Sequence, residues 1–143
     1  MDKLENIAIS HTYADDISPL TLAFVGDAVF DLLVRGWLVR QANRPVGELN
    51  KMKVGFVNCK NQAEFAKILL PILSEKETSV YKRGRNAAPK CTPKNGTVAD
   101  YHSATGLESL FGYLYLKGEN ERINKLFDVI LDSQNDFADS NTK

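Results

Sequence analysis

An all-α single domain is what this sequence predicts, and three observations predict it. Apolar residues recur at helical spacing, most plainly at Ile123, Leu126, Phe127 and Ile130, as on a helix that packs one face against a core. No stretch alternates apolar and polar residues in the manner of a half-buried strand, and no internal repeat is present. Serine, proline and asparagine stand where helices should begin or end.

Residues 1–17 carry no strong signal and form an N-terminal segment. Ser18 followed by Pro19 marks a helix start, with a side-chain cap and a proline at the first helical position. That helix runs to about Gln41, and Arg44-Pro45 ends the connection after it. Val46 to Val57 and Asn58 to Leu70 read as two more helices, with Pro71 near the end of the second. A helix over Glu75 to Arg83 leads into a stretch rich in Gly, Pro and Asn, from Gly84 to Gly96, that should leave the helical path. Val98 to Lys117 and Arg122 to Leu131 complete the set, in a domain bounded at 18–134. The polar residues 135–143 are expected to be a disordered tail.

The chain has 143 residues, 43% apolar and 25% charged, which suits one soluble globular domain with a proper core. Lysine and arginine together number 18, as do aspartate and glutamate, so affinity for nucleic acid must come from a local patch. No basic-then-apolar leader opens the sequence, and no apolar run spans a membrane. The longest such run, Leu20 to Val39, is broken by Asp27, Asp31 and Arg35. Cys59 and Cys91 fit neither a metal spacing nor a disulfide framework, and read as reduced thiols of a cytosolic protein.

Two acids stand out, each set in an otherwise apolar helical segment: Asp27 within Pro19–Phe30, and Glu108 within Ala104–Leu116. A carboxylate taken out of water costs several kcal/mol unless it is paired, hydrogen-bonded or bound to metal. One divalent ion shared by both is the simplest common explanation. Ala23 lies one turn before Asp27, Ala104 one turn before Glu108 and Gly112 one turn after it. These small residues leave room for a hydrated Mg²⁺ and a phosphate, or else they let helices approach closely while each acid finds a partner elsewhere. Asp31 and Arg35 extend the stripe of Asp27 and read as an i,i+4 ion pair; a supporting role for Asp31 at the metal is the alternative.

From Val80 to Thr97 there is no acid, while Lys82, Arg83, Arg85, Lys90 and Lys94 all fall there with Asn86, Asn95, Thr92 and Thr97 among them. Such a local field is suited to a phosphate backbone, although many charge runs are only solvated surface. Lys60 and Gln62 open another helix, and either reach a nucleic acid or face solvent. His11 and His102 have no ligand partners at useful spacing; His102 is expected beside Tyr101 and Tyr113 or on the surface.

Phe24-Val25-Gly26-Asp27-Ala28-Val29 resembles the signature helix of the ribonuclease III catalytic domain, and the segment Glu108 to Leu116 resembles that family's second acidic helix. Lys82-Arg83-Gly84-Arg85-Asn86-Ala87, then Thr92-Pro93-Lys94-Asn95, then Tyr101 with Ser103-Ala104-Thr105 before Glu108 are similar, in order and spacing, to the Mini-III subgroup. The likeness runs from about Ser18 to Leu131. Ribonuclease III enzymes carry four acids per site; Ala23 and Thr105 stand at the positions matching two of them, so only Asp27 and Glu108 carry over as metal-binding and catalytic residues. No room after Leu131 remains for a double-stranded-RNA-binding domain.

The resemblance implies Mg²⁺-dependent cleavage of double-stranded RNA, with Mn²⁺ able to substitute, leaving 5′-phosphate and 3′-hydroxyl ends. It implies a cytoplasmic homodimer whose contact includes the signature helix, with Phe24, Val25 and Phe30 near it. The implied substrate is the stem of precursor large-subunit ribosomal RNA, gripped by Lys82, Arg83, Arg85, Asn86, Lys90 and Lys94. A ribosomal protein that presents the RNA suits an enzyme this small, though no residue encodes one. Two rivals stay open: a non-catalytic helical dimer that binds RNA, and a protein-interaction dimer whose acids serve only internal ion pairs.

Overall fold

A computed structural model describes the backbone of residues 11–89 and 96–141 and the side chains of residues 14–89 and 96–134. The described residues form helices only: α1 (His11–Asp16), α2 (Pro19–Gln41), α3 (Val46–Phe56), α4 (Cys59–Leu69), α5 (Glu75–Ala87), α6 (Val98–Leu116) and α7 (Asn120–Asn141), with a 3₁₀ turn Leu70–Ile72. The all-α expectation holds. Among the described residues no helix is long and apolar enough to cross a membrane.

Local chemistry explains most boundaries. Asn58 caps α4 by accepting from the Asn61 N–H at 2.9 Å. Ser74 with Glu77, and Thr97 with Asp100, form reciprocal capping boxes that start α5 and α6. Gly118, at φ 76°, lets the chain leave α6 in the left-handed conformation. The Gly118 N–H then bonds the Tyr115 carbonyl at 3.0 Å and the Glu119 N–H that of Leu114 at 2.9 Å, a Schellman closure. At Ser18 the expected cap differs: the hydroxyl meets Thr21 Oγ1 at 2.8 Å, and Pro19 alone supplies the start signal.

α6 is the central helix, packed by α2, α5, α4 and α7. Phe30 of α2 is at the middle of the core, edge-on to Phe111 at 5.5 Å and to Phe127 at 6.0 Å. Phe65 and Phe56 close the cluster with centroids 4.9 Å apart. Each such aromatic pair adds about 0.5–1.5 kcal/mol beyond area burial. The α7 stripe predicted from periodicity, Ile123, Leu126, Phe127 and Ile130, is buried throughout.

Three boundaries need correction. α1 belongs to the packed unit, since Ala14 is buried and Asp15 accepts from the Tyr113 hydroxyl at 2.8 Å and pairs with Lys76 at 3.3 Å. α5 does not stop at Arg83 but runs through Gly84 to Ala87. Gly84 is a packing glycine there: a Cβ would strike the Ser109 side chain of α6. α7 continues to Asn141, past the expected tail start at Asn135, because no glycine or proline interrupts it.

Candidate active site

Asp27 and Glu108 meet where α2 and α6 cross. Both helices offer glycine at that crossing, so their backbones touch. A Cβ on Gly26 would run into the Glu108 carbonyl oxygen, and one on Gly112 into the Leu22 carbonyl oxygen. Gly112 therefore opens no space above Glu108; Ala23 and Ala104 are buried as well, so the small residues serve close helix packing. Sequence reading overlooked Gly26. Its signal was a glycine facing a second glycine on the other acidic helix.

The close crossing brings the two carboxyl groups together. Glu108 is pushed up to about 8, first by burial, then by its hydrogen bond with Asp27 and by the Asp27 charge. Asp27 is exposed and Glu108 half-buried beside it. Asp27 also lines a groove of about 740 Å³ with Phe24, Val29, Tyr115, Asn120 and Asn124. Nothing in the local sequence pointed to the two asparagines, which arrive from the start of α7 through tertiary packing.

Two adjacent carboxylates are hard oxygen donors, and Mg²⁺ favours a few of these plus waters over a full protein cage. Among the described residues no group of three or more His, Cys, Asp or Glu gathers as a metal cluster. Thr105 adds no ligand, because it is buried and its hydroxyl donates to the Tyr101 carbonyl of its own helix at 2.9 Å. Ala23 offers no donor at all.

Asp31 is an ion-pair residue, held by Arg35 at 2.6 Å and by Lys53 at 3.5 Å. His102 lies beside Tyr101, ring centroids 6.3 Å apart, and its Nε2 is 3.3 Å from the Pro89 carbonyl; Tyr113 engages Asp15 and Lys117 instead. Gln62 is buried and cannot reach a duplex, whereas Lys60 is exposed.

The cations predicted for a loop ride on a helix where they are described. Lys82, Arg83 and Asn86 are exposed on α5 and line a groove of about 450 Å³ with Thr78 and Ser79. Arg85 is half-buried, with its guanidinium 5.8 Å above the Tyr81 ring. Lys90, Lys94, Thr92, Asn95 and Cys91 lie outside the described residues.

Of the residues expected at a subunit contact, Phe24 is 81% exposed and Val25 half-buried, but Phe30 is buried in the core. Phe30 lies outside any surface because its aromatic partners come from α3, α4, α6 and α7, a clustering no local pattern reveals.

The profile of the ribonuclease III domain matches residues 20–119. A Mini-ribonuclease 3 of Thermoanaerobacter sp. is 47% identical over 113 residues, covering 79% of this chain and 80% of that protein. One from Clostridium tetani is 34% identical over 133 residues, covering 89% and 88%. A crystal structure of a Fusobacterium nucleatum protein superposes with a TM-score of 0.77 at 34% identity, over 83% of this chain and 95% of that one. A shared profile, shared length and shared fold leave one assignment: the chain belongs to the ribonuclease III family, endoribonucleases of double-stranded RNA, within its Mini-ribonuclease 3 group.

Proposed function

We propose that this protein is a Mg²⁺-dependent endoribonuclease that acts as a cytoplasmic homodimer on the stem of precursor large-subunit ribosomal RNA, leaving 5′-phosphate and 3′-hydroxyl ends. The observation that carries the proposal is the meeting of Asp27 and Glu108, with like charge as the neighbour of Glu108. Such a pair is unfavourable alone and is relieved by a divalent cation. Asp27 and Glu108 would hold the ion, with water and phosphate oxygens completing its shell. When bound, Mg²⁺ supplies a Lewis acid that activates water and offsets charge developing on the phosphate oxygens.

The remaining roles belong to the chain itself. Glu108 would have to be ionised to hold the ion, so loading would be favoured by rising pH. Lys82, Arg83 and Asn86, with Arg85, Lys90 and Lys94, position the duplex by its phosphates and 2′-hydroxyls without reading bases. Dimerisation is supported by the apolar face of α2: Phe24 is 81%, Leu32 63% and Leu20 43% exposed, and a contiguous face of this kind marks an interaction surface. A second copy brings a second Asp27–Glu108 pair, one for each strand.

The test is direct. Purified protein should cut duplex RNA with Mg²⁺, lose that activity in EDTA, and elute as a dimer. Duplex binding without cleavage at any Mg²⁺ or Mn²⁺ concentration would leave the non-catalytic RNA-binding module instead.

A further inference from the structure

We propose that Ser109 is a positioning residue, fixing the α2–α6 register on which the Asp27–Glu108 pair depends; the inference rests on the metal-binding reading of that pair. Ser109 follows Glu108 in the interior of α6 and has 0% exposure. A serine there needs a reason, because alanine has the better helix propensity and buries no hydroxyl. The Ser109 hydroxyl lies 2.9 Å from the Thr105 carbonyl of its own helix and 2.9 Å from the Pro19 carbonyl of α2. The first contact alone would satisfy the O–H. The single proton is shared between the two carbonyls at equal distance, and the share that reaches Pro19 is what the hydroxyl adds: a directional link between the two acid-bearing helices.

On its other side Ser109 is backed by α5. Gly84 approaches so closely that a Cβ there would strike both Oγ and Cβ of Ser109. The hydroxyl is thus held between the helix that carries Asp27 and the helix that carries Lys82 and Arg83. The glycine contact at Gly26 and Gly112 sets how near α2 comes to α6, but bare backbones in van der Waals contact resist sliding and rotation weakly. Pro19 lies seven residues before Gly26, roughly 10 Å along the helix at 1.5 Å per residue. A hydrogen bond at that distance from the glycine contact fixes both motions, and with them the spacing of the carboxyls.

The experiment uses the full chain and reads Mg²⁺ binding without RNA, by calorimetry and by the Mg²⁺-induced rise in Tm. Ser109→Ala should raise the Mg²⁺ Kd roughly tenfold, the lower end of what residues supporting a metal ligand are worth. The Mg²⁺ concentration for half-maximal cleavage should rise in step, while duplex affinity in EDTA stays at the wild-type value. Ser109→Cys, a weaker donor of similar size, should fall between, and it carries the comparison if the alanine variant does not fold. Glu77→Gln is the control for general loosening, since Glu77 contacts neither acid. Wild-type Mg²⁺ affinity in both Ser109 variants, or an equal loss in Glu77→Gln, would overturn the positioning role alone. A wild-type protein with no Mg²⁺ response at all would overturn the metal reading beneath it.

Discussion

Glu77 and Glu108 are both glutamates withdrawn from water in one helical bundle, yet their surroundings are opposite. Glu77 closes the capping box of α5 and receives Arg122 through Nε and Nη2, each at 2.8 Å. Arg122 spends its remaining reach on the Ile72 carbonyl at 2.9 Å. That fork holds the Glu77 carboxyl below its usual range, with burial opposing and the Ser74 N–H assisting. Glu108 has no such fork; burial and the Asp27 carboxylate raise it to about 8. One acid is completed by a cation of the chain, and the other faces only a second carboxyl. A bundle that can build the first arrangement has no structural need for the second, and this is why the second reads as a site.

Substitution at the unbalanced pair should break the comparison most visibly. Asp27→Asn is expected to lower cleavage by roughly a hundredfold to a thousandfold, the scale of removing one preorganised electrostatic group. The same variant should melt no lower than wild type in EDTA above about pH 8, where an ionised Glu108 would otherwise face a like charge. Single-turnover cleavage and thermal melts read the two effects separately. Wild-type cleavage in Asp27→Asn would detach the pair from the chemistry.

Glu77→Gln should do the reverse. Removing the carboxylate leaves Arg122 without its charged partner, a change worth about 1.5–3 kcal/mol for charged hydrogen bonds in a part-buried pair. Denaturant melts should record that loss, while the cleavage rate per folded molecule stays unchanged. A fall in kcat as large as the fall in stability would place Glu77 in the site after all.

The two glutamates also predict opposite pH limbs in metal-free protein. A carboxyl depressed by folding, such as Glu77, stabilises above its unfolded value of about 4.5 and loses that stabilisation as pH falls. Glu108 is raised by folding: it binds its proton more tightly folded than unfolded, so stability declines as pH climbs from 4.5 through about 8. Melts in EDTA carried well below pH 4.5 and up to pH 9 should show both limbs. Glu108→Gln should flatten the alkaline limb and spare the acid one. In wild type the Mg²⁺-induced gain in Tm should grow with pH, since the ion competes with that proton.

What the sequence made legible was local. The start of α2 at Pro19, the helix after Asn58 and the α7 stripe depend on neighbours within a turn or two, and all were readable. Residues whose meaning lies across the bundle were not. Gly84 looked like a helix breaker because its partner, Ser109, is on another helix. Gly112 looked like open room because the Leu22 carbonyl that fills it comes from α2. The acids were found by chemistry alone, as charges in apolar surroundings, whereas Gly26 and Ser109 carry no charge and leave no such mark.

The contrast between completed and uncompleted charge extends to the cations of α5, where it gives the smallest expected effect. Arg122 is consumed by Glu77, and Arg85 partly by the Tyr81 ring; Lys82 and Arg83 project from the exposed side of the helix. Only a cation that faces solvent can release a counterion when a phosphate arrives, so the salt dependence of duplex binding should count these side chains unequally. Each phosphate contact contributes roughly 0.9 to the slope of log K against log salt in duplex nucleic acid. Arg83→Ala should lower the slope by about that amount. Arg85→Ala should lower it by less, and part of its effect should appear as lost stability, because its side chain also covers Tyr81. Binding titrations in EDTA over a range of salt would resolve the difference. Equal slopes for both variants would mean that α5 presents its arginines to RNA without regard to their internal contacts, and an unchanged slope for Arg83→Ala would move the duplex off this helix.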